Sequence, residues 1–370
     1  MKLLRFIATL SALTVAVFTV GSAYAGTVNP LSWALPSVVA MIFPIMLLLS
    51  VVLMVINLFI CRKAAAVSAV SILCCLNPAL TVCPLNFSTP DTDGKPLTLL
   101  TYNVMQLGDF TGTSDPDSPN PTLRLLSSCG ADIIALQECY DIASIAKGKA
   151  NRPLLDSISS RYPYRSYGAR GQSLLSRFPF DEITLSRPNS DDFRVRAFRI
   201  YIAEDTLTLF DVHLQSIGLT PDDKQLYRDL TRGDTQGRGI KSELREIRTD
   251  LISKLTAAFR ARAIQAAGLR DMIAETGGRC IVCGDFNDVP GCYALRSLTD
   301  TGLRDAWRQS ALGPAITYHA NRLYFRIDHI LYSPQLITPL RTRRLTWPYS
   351  DHYPVEMTFT VNRPSTDNFK

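Results

Sequence analysis

The sequence has few charged residues, and its first ninety positions have almost none. Charged residues make up 19% of the 370 residues and hydrophobic residues 46%, which excludes a disordered or fibrous chain. No acidic residue precedes Asp91, and the only basic residues before it are Lys2, Arg5, Arg62 and Lys63. This near-absence of charge, with a mean hydropathy of +0.08, indicates that the N-terminal part enters a membrane.

The rest of the chain lacks a surplus of charge of either sign. Residues 91–370 hold 35 of the 39 basic residues and all 33 acidic residues, so their net charge is +2. Proteins dedicated to duplex nucleic acid carry a strongly basic surface. A net charge of only +2 therefore disfavours a dedicated duplex-binding protein, without excluding nucleic acid as a substrate.

The uncharged run from Phe6 to Cys61 is too long for a single membrane span of about 20 residues. The turn-forming segment 26–32 divides it, so we expect spans near residues 3–25 and 33–61, and a third, more polar span near 64–83. Both basic pairs then lie inside, where Lys and Arg are enriched. In a bacterium this topology gives a multi-pass inner-membrane protein whose following domain is periplasmic.

The first apolar segment has a second interpretation. Lys2 and Arg5 precede an apolar stretch that ends in Ala23-Tyr24-Ala25, which is similar to the cleavage site of a secretory signal peptide. Whether this segment is retained or cleaved stays open, as does the number of transmembrane helices, two or three.

The sequence also lacks a closed zinc-site spacing and a glycine-rich phosphate loop. Cys280 and Cys283 lie in a run typical of a buried strand, where residues three apart are separated by ~10 Å and point to opposite faces. We therefore expect these two cysteines to pack in the core.

From Pro96 onward, short β-rich runs alternate with turns and helical stretches, which predicts an α/β domain with mixed sheets. We expect a membrane anchor over residues 1–88 and a second domain over 89–365, with a helical insert near 217–276 and a polar excursion at 221–239. The predicted helices are 121–129, 151–161 and 241–276. The predicted strands are 97–104, 132–138, 171–178, 193–203, 207–214, 280–286, 325–332 and 354–361.

Polar residues lie at the ends of many of these strands. Because strand ends converge in space, and because burying a carboxylate in an apolar strand is costly, we expect these side chains to form a site. They are Asn103, Glu138, His213, Asp285, Asn287, Asp328, His329, Asp351 and His352.

These residue types suit metal-assisted hydrolysis of a phosphoester. Glu138 and Asp351, assisted by Asn103, offer the oxygen ligands that Mg²⁺ (or Mn²⁺) prefers. A histidine held by a carboxylate is the usual device for removing a proton from water, and His352 with Asp328 would form that pair.

Other polar residues have different expected roles. Asn287 and His213 can donate hydrogen bonds to the phosphoryl oxygens as charge develops there. His329 lies inside an apolar strand, so we expect it to pack rather than to act in catalysis. His319 either lines the mouth of the site or lies in a surface loop.

The ordered motifs resemble those of the endonuclease/exonuclease/phosphatase superfamily, whose fold is that of pancreatic deoxyribonuclease. The likeness covers residues 96–362, and the apolar spans with the helical insert further resemble a bacterial membrane-anchored branch. The motifs are TYN (101–103), LQE (136–138), VHL (212–214), GDFND (284–288), RIDHIL (326–331) and SDHYP (350–354).

The resemblance implies a four-layer α/β sandwich with two mixed β-sheets, preceded by the transmembrane helices, and a site at one edge. It implies that Glu138 is the principal metal ligand and that Asp328 orients His352 as the general base. The other implied roles are metal binding for Asn103 and Asp351, positioning of the nucleophile or leaving group for Asp285, phosphate contact for Asn287, and transition-state stabilisation for His213.

Two positions depart from the family pattern. The usual Asn-Thr-His is Asp211-Val212-His213 here, although the histidine is kept. His329 follows Asp328, where an aromatic residue often stands.

Three functions therefore remain open. The favoured one is a membrane-anchored, divalent-metal-dependent phosphoesterase that hydrolyses phosphodiesters, with a lipid headgroup or a small phosphoester as substrate. An extracytoplasmic endo- or exonuclease acting on DNA or RNA is the alternative, and a catalytically silent binding protein is a remote third, because Glu138, Asp285 and His352 are all present. The basic residues that could contact nucleic-acid phosphates are Arg322, Arg326, Arg341, Arg343 and Arg344.

Overall fold

The computed structural model describes residues 1–92, 94–113, 115, 117–186, 193–218 and 240–362, with no side chains described over 240–249. The polar excursion predicted at 221–239 lies outside these residues. The chain divides into two compact units. Unit 1 comprises Met1–Leu85, Ser216–Ala266 and Val289–Ser297, and unit 2 comprises Asn86–Gln215, Ala267–Asp288 and Leu298–Lys370.

The described part of the chain contains eleven α-helices. They are α1 (Lys2–Ala25), α2 (Leu35–Met41), α3 (Phe43–Ile60), α4 (Arg62–Cys74), α5 (Leu76–Val82), α6 (Pro121–Ser128), α7 (Ile142–Ile145), α8 (Arg152–Arg161), α9 (Ile240–Glu275), α10 (Tyr293–Thr299) and α11 (Ala306–Ser310).

Two helices of unit 1, α1 and α3, are long and apolar enough to cross a membrane, among the residues that the structure describes. The pair α4 and α5 is a third candidate if it counts as one broken span, because it bends by 72°. The bend has a local cause: Pro78 has no backbone N–H to donate to the carbonyl of Cys74, four residues earlier. That carbonyl instead accepts a hydrogen bond from the hydroxyl of Tyr24, at 2.7 Å.

Small polar side chains link the apolar helices of unit 1. The hydroxyls of Thr19 on α1 and Ser50 on α3 lie 2.7 Å apart in a buried position. Small and hydroxyl-bearing residues at such contacts let helices approach closely in an apolar environment. This packing is therefore of the kind found between membrane helices.

Unit 2 contains two mixed six-stranded sheets, in the orders β11-β12-β1-β2-β4-β3 and β5-β6-β7-β8-β10-β9. The pairs β1·β2 and β7·β8 are parallel, and the other pairs are antiparallel. The strands are β1 (Leu97–Asn103), β2 (Ile133–Gln137), β3 (Tyr164–Tyr167), β4 (Ser173–Ser176), β5 (Phe180–Ile183), β6 (Arg194–Ile202), β7 (Asp205–His213), β8 (Cys280–Asp285), β9 (Arg304–Asp305), β10 (Asp328–Tyr332), β11 (Ile337–Arg344) and β12 (Val355–Val361).

The two sheets pack face to face around one apolar core. Leu99 of β1 and Ile281 of β8 both lie in this core, whereas Leu100 faces a second core formed with α6 and α8. Successive side chains of a strand point to opposite faces, so a strand covered on both faces is apolar at nearly every position. The arrangement confirms the predicted α/β fold of two mixed β-sheets with helices.

The eight predicted strands coincide with β1, β2, β4, β6, β7, β8, β10 and β12, within three residues at each end. The three predicted helices coincide with α6, α8 and α9. The sequence did not reveal β3, β5, β9 and β11, which are the four edge strands of the two sheets. Edge strands bury less apolar surface than inner strands, so their sequences carry a weaker hydrophobic pattern.

Candidate active site

The predicted site residues lie where strands of both sheets end or begin. β1 and β2 are parallel, so their C-terminal ends lie at the same end of the first sheet, and the same holds for β7 and β8 in the second sheet. β12 runs antiparallel to β1, and β10 runs antiparallel to β8, so each begins at that end of its own sheet. The residues brought there are Asn103, Glu138, His213, Asp285, Asn287, Asp328, Asp351 and His352.

Asn103 joins the two sheets at the centre of this group. Its amide nitrogen Nδ2 donates to Glu138 Oε1 at 3.2 Å and to Asp285 Oδ2 at 3.1 Å. Asn103 is buried, and its own oxygen accepts from the backbone N–H of Met105 at 3.1 Å. The Asn103 amide therefore bridges two carboxylates that come from different sheets.

Glu138 reaches solvent, with 34% of its side chain exposed, and Asp351 is partly exposed as well. Its backbone is left-handed, with a φ of +50°, a conformation that a non-glycine residue rarely adopts and that marks local strain. Gly171 packs against it, and a Cβ there would lie 3.3 Å from the Glu138 Cα. The backbone thus turns Glu138 toward the open side of the group.

Glycine is also required at position 284, immediately before Asp285. Gly284 has a φ of +139°, and a Cβ there would lie 2.0 Å from the carbonyl oxygen of Val212. Val212 and Gly284 face each other in the parallel pairing of β7 with β8, and His213 faces Asp285 in the next position. The close approach of these strands brings His213 Nε2 to 3.7 Å from Asp285 Oδ2.

Asp328 and His352 form a buried pair. His352 Nδ1 lies 2.8 Å from Asp328 Oδ2, and its other ring nitrogen, Nε2, lies 3.6 Å from Asp285 Oδ2. Burial opposes the charged imidazolium, but the carboxylates of Asp328 and Asp285 outweigh burial and raise the pKa of His352 to about 10. With that pKa, His352 is protonated at neutral pH in the metal-free protein, so a bound cation would have to lower the pKa before His352 could accept a proton.

Asp285 is buried among these charged and polar groups. Burial raises the pKa of Asp285; the neighbouring His352 opposes that rise, and the Asp328 carboxylate adds to it. Its Oδ1 accepts from the backbone N–H of Asn287 at 2.8 Å. Like Glu138, Asn287 has a left-handed backbone, with a φ of +50°.

The structure qualifies the expected role of Asn287. One N–H of its side-chain amide donates to the carbonyl of Leu214 at 3.0 Å. A contact from Asn287 to a phosphate must therefore use the second N–H of that amide or replace this bond.

Asp351 lies beside the group, next to Ser350, which contacts both Asp351 and Asn103. The hydroxyl of Ser350 donates to the carbonyl oxygen of Asn103 at 2.7 Å and lies 3.4 Å from Asp351 Oδ1. Ser350 thus connects Asp351 to the end of β1. Sequence reasoning missed Ser350, although its position beside Asp351 in the SDHYP motif could have indicated a supporting role.

The histidines outside this group occupy two different environments. His329 lies in the core, as predicted: its Nε2 bonds the carbonyl of Asp288 at 2.9 Å, and burial lowers its pKa to about 3. His319 stacks on Tyr353, the residue that follows His352 in the chain, with ring centroids 4.1 Å apart. Sequence reasoning also missed Tyr318, whose ring meets the edge of the His352 ring at 5.1 Å.

Arg326 does not reach the site surface. It is buried and forms a salt bridge with Asp305, with 2.8 Å between Nη2 and Oδ2. The suggestion that Arg326 contacts nucleic-acid phosphates was wrong, because its guanidinium is used inside the domain.

The donor set fits a hard divalent cation. Asp285, Asp328 and His352 could each offer a ligand atom, and these atoms all lie within 4.8 Å of one another. Within the described residues, Asp328 Oδ1 is buried without a hydrogen-bond partner. Several carboxylates gathered in a buried place repel one another, and a dication relieves that repulsion.

Residues 100–352 match the model of the endonuclease/exonuclease/phosphatase family. The chain belongs to this family. Members of the family are hydrolases that act on phosphoesters and nucleic acids, so the chain is a hydrolase. Residues 2–82 match the model of a domain of unknown function.

Several solved structures are similar to the chain at low sequence identity. An endonuclease/exonuclease/phosphatase from Beutenbergia cavernae is 16% identical, over 72% of each chain, with a TM-score of 0.45. The catalytic domain of human Nocturnin is 16% identical, over 75% of this chain and 100% of its own, with a TM-score of 0.46. Truncated TDP2 from Caenorhabditis elegans is 16% identical, over 73% of this chain and 100% of its own, with a TM-score of 0.42. No curated protein matches the chain.

Proposed function

We propose that the protein is a membrane-anchored, divalent-metal-dependent phosphoesterase that hydrolyses phosphodiesters. The observation that carries this proposal is the convergence of Asn103, Glu138 and Asp285 beside the bonded pair of Asp328 and His352. The group combines oxygen ligands for a cation with a histidine that can exchange a proton, which are the two requirements of metal-assisted hydrolysis.

Glu138, with Asp351 nearby, would hold Mg²⁺ (or Mn²⁺). Glu138 is suited to this role because its carboxylate reaches solvent, where a cation and a phosphate can approach. The expected role of Asn103 as a ligand requires its amide to turn, because Nδ2 faces the carboxylates and Oδ1 accepts from the backbone N–H of Met105. When bound, the cation would neutralise charge on the phosphoryl oxygens. We assign Asp328 and His352 to proton transfer because they engage each other at 2.8 Å. Asp328 Oδ1, which has no hydrogen-bond partner among the described residues, remains an alternative ligand for the cation.

His352 is proposed as the general base. Its Nε2 faces Asp285 and the interior of the group, while Asp328 holds Nδ1 and therefore fixes the tautomer and the ring orientation. Asp285 would position the attacking water or the leaving group. His213 and Asn287 would donate to the phosphoryl oxygens, where negative charge develops in the transition state.

The apolar helices of unit 1 support membrane anchoring. Phe6, Val17, Leu48 and Phe59 on α1 and α3 are exposed, which suits contact with lipid. We propose that residues 1–88 form the anchor in a bacterial inner membrane, and that residues 89–365, with the helical insert near 217–276, form a catalytic domain in the periplasm. The basic residues that flank the apolar segments support this orientation.

A lipid headgroup or a small phosphoester is the proposed substrate. The near-neutral charge of residues 91–370 disfavours a long polyanion, and membrane anchoring favours a substrate at the membrane surface.

A nuclease is the second candidate, and an aromatic stack beside the site favours it. The ring of His319 meets the edge of the half-exposed Phe110 at 5.1 Å and stacks on Tyr353. The guanidinium of Arg344 lies 4.4 Å from the centre of the Tyr353 ring. Aromatic rings with a nearby arginine can stack bases of a single strand.

A substrate panel distinguishes the two candidates. The full chain, purified in detergent with Mg²⁺ or Mn²⁺, would be assayed on sphingomyelin, phosphatidylinositol, aryl phosphodiesters, DNA and RNA, with the His352→Ala variant as control. Cleavage of a lipid or aryl phosphodiester that depends on His352 supports the proposal, and cleavage of nucleic acid alone supports the second candidate. If the chain cleaves no phosphodiester with either cation, the proposal is wrong.

A further inference from the structure

Unit 2 has a groove of about 610 Å³ that none of the eight site residues lines. One wall is the segment 86–89, a second is the loop over residues 312–316, and a third is β11. β11 is the edge strand of its sheet, so no strand of the described residues pairs with one side of its backbone. The groove is therefore open to a partner outside the domain.

The chemistry of the groove combines positive charge with exposed apolar side chains. Three arginines of β11 line it, Arg341, Arg343 and Arg344, and no acidic residue is among its lining residues. Phe87 is 82% exposed, and Leu312 is 59% exposed. Such a combination fits the interface between anionic lipid headgroups and acyl chains, where arginines meet phosphates and aromatic rings enter the apolar boundary.

The three arginines are not equally engaged within the protein. Arg343 Nε lies 2.6 Å from Glu356 Oε1, and Arg344 lies over the ring of Tyr353. Arg341 is exposed, and no hydrogen bond or ion pair to it is recorded among the described residues. Arg341 is therefore the charge most available to an external anion.

The groove also lies close along the chain to an apolar segment. Only residues 83–85 separate Val82, the end of α5, from Asn86, a distance of at most about 14 Å for an extended chain. Asn86 is fixed to unit 2, because its Nδ2 donates to the carbonyls of Arg308 at 2.9 Å and Ala311 at 2.8 Å. If α5 ends at the membrane surface, the length of the chain keeps Asn86 within about 14 Å of that end.

We propose that this groove binds the headgroups of anionic phospholipids in the membrane that anchors the chain, with Phe87 inserted at the acyl boundary. The proposal rests on the proposed membrane anchoring but not on the catalytic assignment. The lipid bound in the groove is a docking partner rather than a substrate, because the groove contains none of the site residues.

Hydrogen–deuterium exchange of the full chain in nanodiscs tests the proposal. Discs that hold one copy would contain either phosphatidylcholine alone or phosphatidylcholine with about one-third phosphatidylglycerol, an anionic lipid. We expect the amides of β11 and of residues 86–89 to exchange more slowly in the anionic discs. Equal exchange in both discs would overturn the proposal.

Variants identify which residues cause the slower exchange in anionic discs. Arg341→Gln should weaken the anionic-lipid protection by about fivefold, equivalent to the ~1 kcal/mol that one arginine gains near an anionic surface. Phe87→Ser should weaken it as well, and both side chains are exposed, so the fold should not suffer. Arg124→Gln, which removes an exposed arginine on α6 instead, should leave the protection unchanged. An equal loss in the Arg124 variant would mean that charge alone, rather than the groove, produces the protection.

Two further controls separate this inference from other possibilities. Glu138→Gln should keep full protection, so loss of hydrolysis and loss of lipid docking are measured independently. If β11 becomes protected only in discs that hold two copies, the open strand edge pairs with a second chain, and the lipid proposal is wrong.

Discussion

The Nδ1 atom of His352 lies 2.8 Å from Oδ2 of Asp328, and both side chains are buried. The two residues come from different sheets, because Asp328 begins β10 and His352 precedes β12. The hydrogen bond therefore depends on the face-to-face packing of the two sheets, and it couples the fold to the proton-transfer chemistry that we propose.

This pair should act as a unit. His352→Ala is expected to reduce kcat/KM by ~10² to 10⁴, the usual contribution of a positioned acid or base. Asp328→Asn keeps the size of the side chain but removes the charge that fixes the histidine tautomer, so its reduction of kcat/KM should approach that of His352→Ala. The double variant should then be little worse than either single variant, and additive losses would show that the two residues act separately.

Metal dependence should follow Glu138. Glu138→Gln keeps the size and the strained backbone but removes the charge of the proposed ligand, so turnover should be lost while the thermal unfolding midpoint changes little. Glu204→Gln, an exposed substitution of the same kind, should keep wild-type activity. Chelation should inactivate the unmutated chain, and readdition of Mg²⁺ or Mn²⁺ should restore it. Activity that persists in chelator would remove the cation from the mechanism.

His329 should affect stability more than catalysis. It is fully buried and bonded to the carbonyl of Asp288 and to Arg326, and its ring edge meets Phe286 at 5.5 Å. His329→Tyr adds volume to a packed core and should cost about 1–3 kcal/mol of unfolding free energy. kcat/KM, measured well below the unfolding temperature, should stay within a few-fold of wild type. A loss comparable to that of His352→Ala would mean that His329 belongs to the chemistry.

Inner strands could be predicted from the sequence, whereas the edge strands could not. Inner strands such as β1 and β8 are covered on both faces, and this burial leaves the apolar runs from which they were predicted. The edge strand β3, for example, has no fully buried residue and leaves no such run. The candidate site residues could be predicted because they are polar residues at the ends of apolar runs. The bridge that Asn103 forms between Glu138 and Asp285 could not be predicted, because it depends on the packing of the two sheets, which no local sequence pattern encodes.

The membrane topology should follow the basic residues. A reporter that is active only in the cytoplasm, fused after Lys370, should be inactive if the second domain is periplasmic. The same reporter fused directly after Lys63 should be active, because the pair Arg62 and Lys63 is expected to lie inside. Activity of the fusion after Lys370 would reverse the proposed orientation.

Asp211, where the family usually has asparagine, should make stability depend on pH. Its carboxyl is fully buried and accepts from Gln137 Nε2 at 2.6 Å; burial raises its pKa well above the ordinary value, although Gln137 and Arg196 oppose the rise. Below the unfolded-state pKa of about 3.9, the carboxyl of Asp211 is protonated in both the folded and the unfolded chain, so it does not lower the free energy of unfolding. As the pH rises toward the folded-state pKa, the unfolded chain alone ionises and the folded state loses stability, by at most ~1.4 kcal/mol per pH unit.

Asp211→Asn removes this titration. The unfolding free energy of the variant, relative to wild type, should therefore increase as the pH rises from about 4 to 7. Chemical unfolding of the detergent-solubilised chain at several pH values measures that difference, and groups that titrate in both proteins cancel. Asp156→Asn, at an exposed position of α8, should give a flat difference. A flat difference for Asp211→Asn as well would mean that Asp211 is ionised in the folded protein and is stabilised by Arg196, its partner in the pairing of β6 with β7.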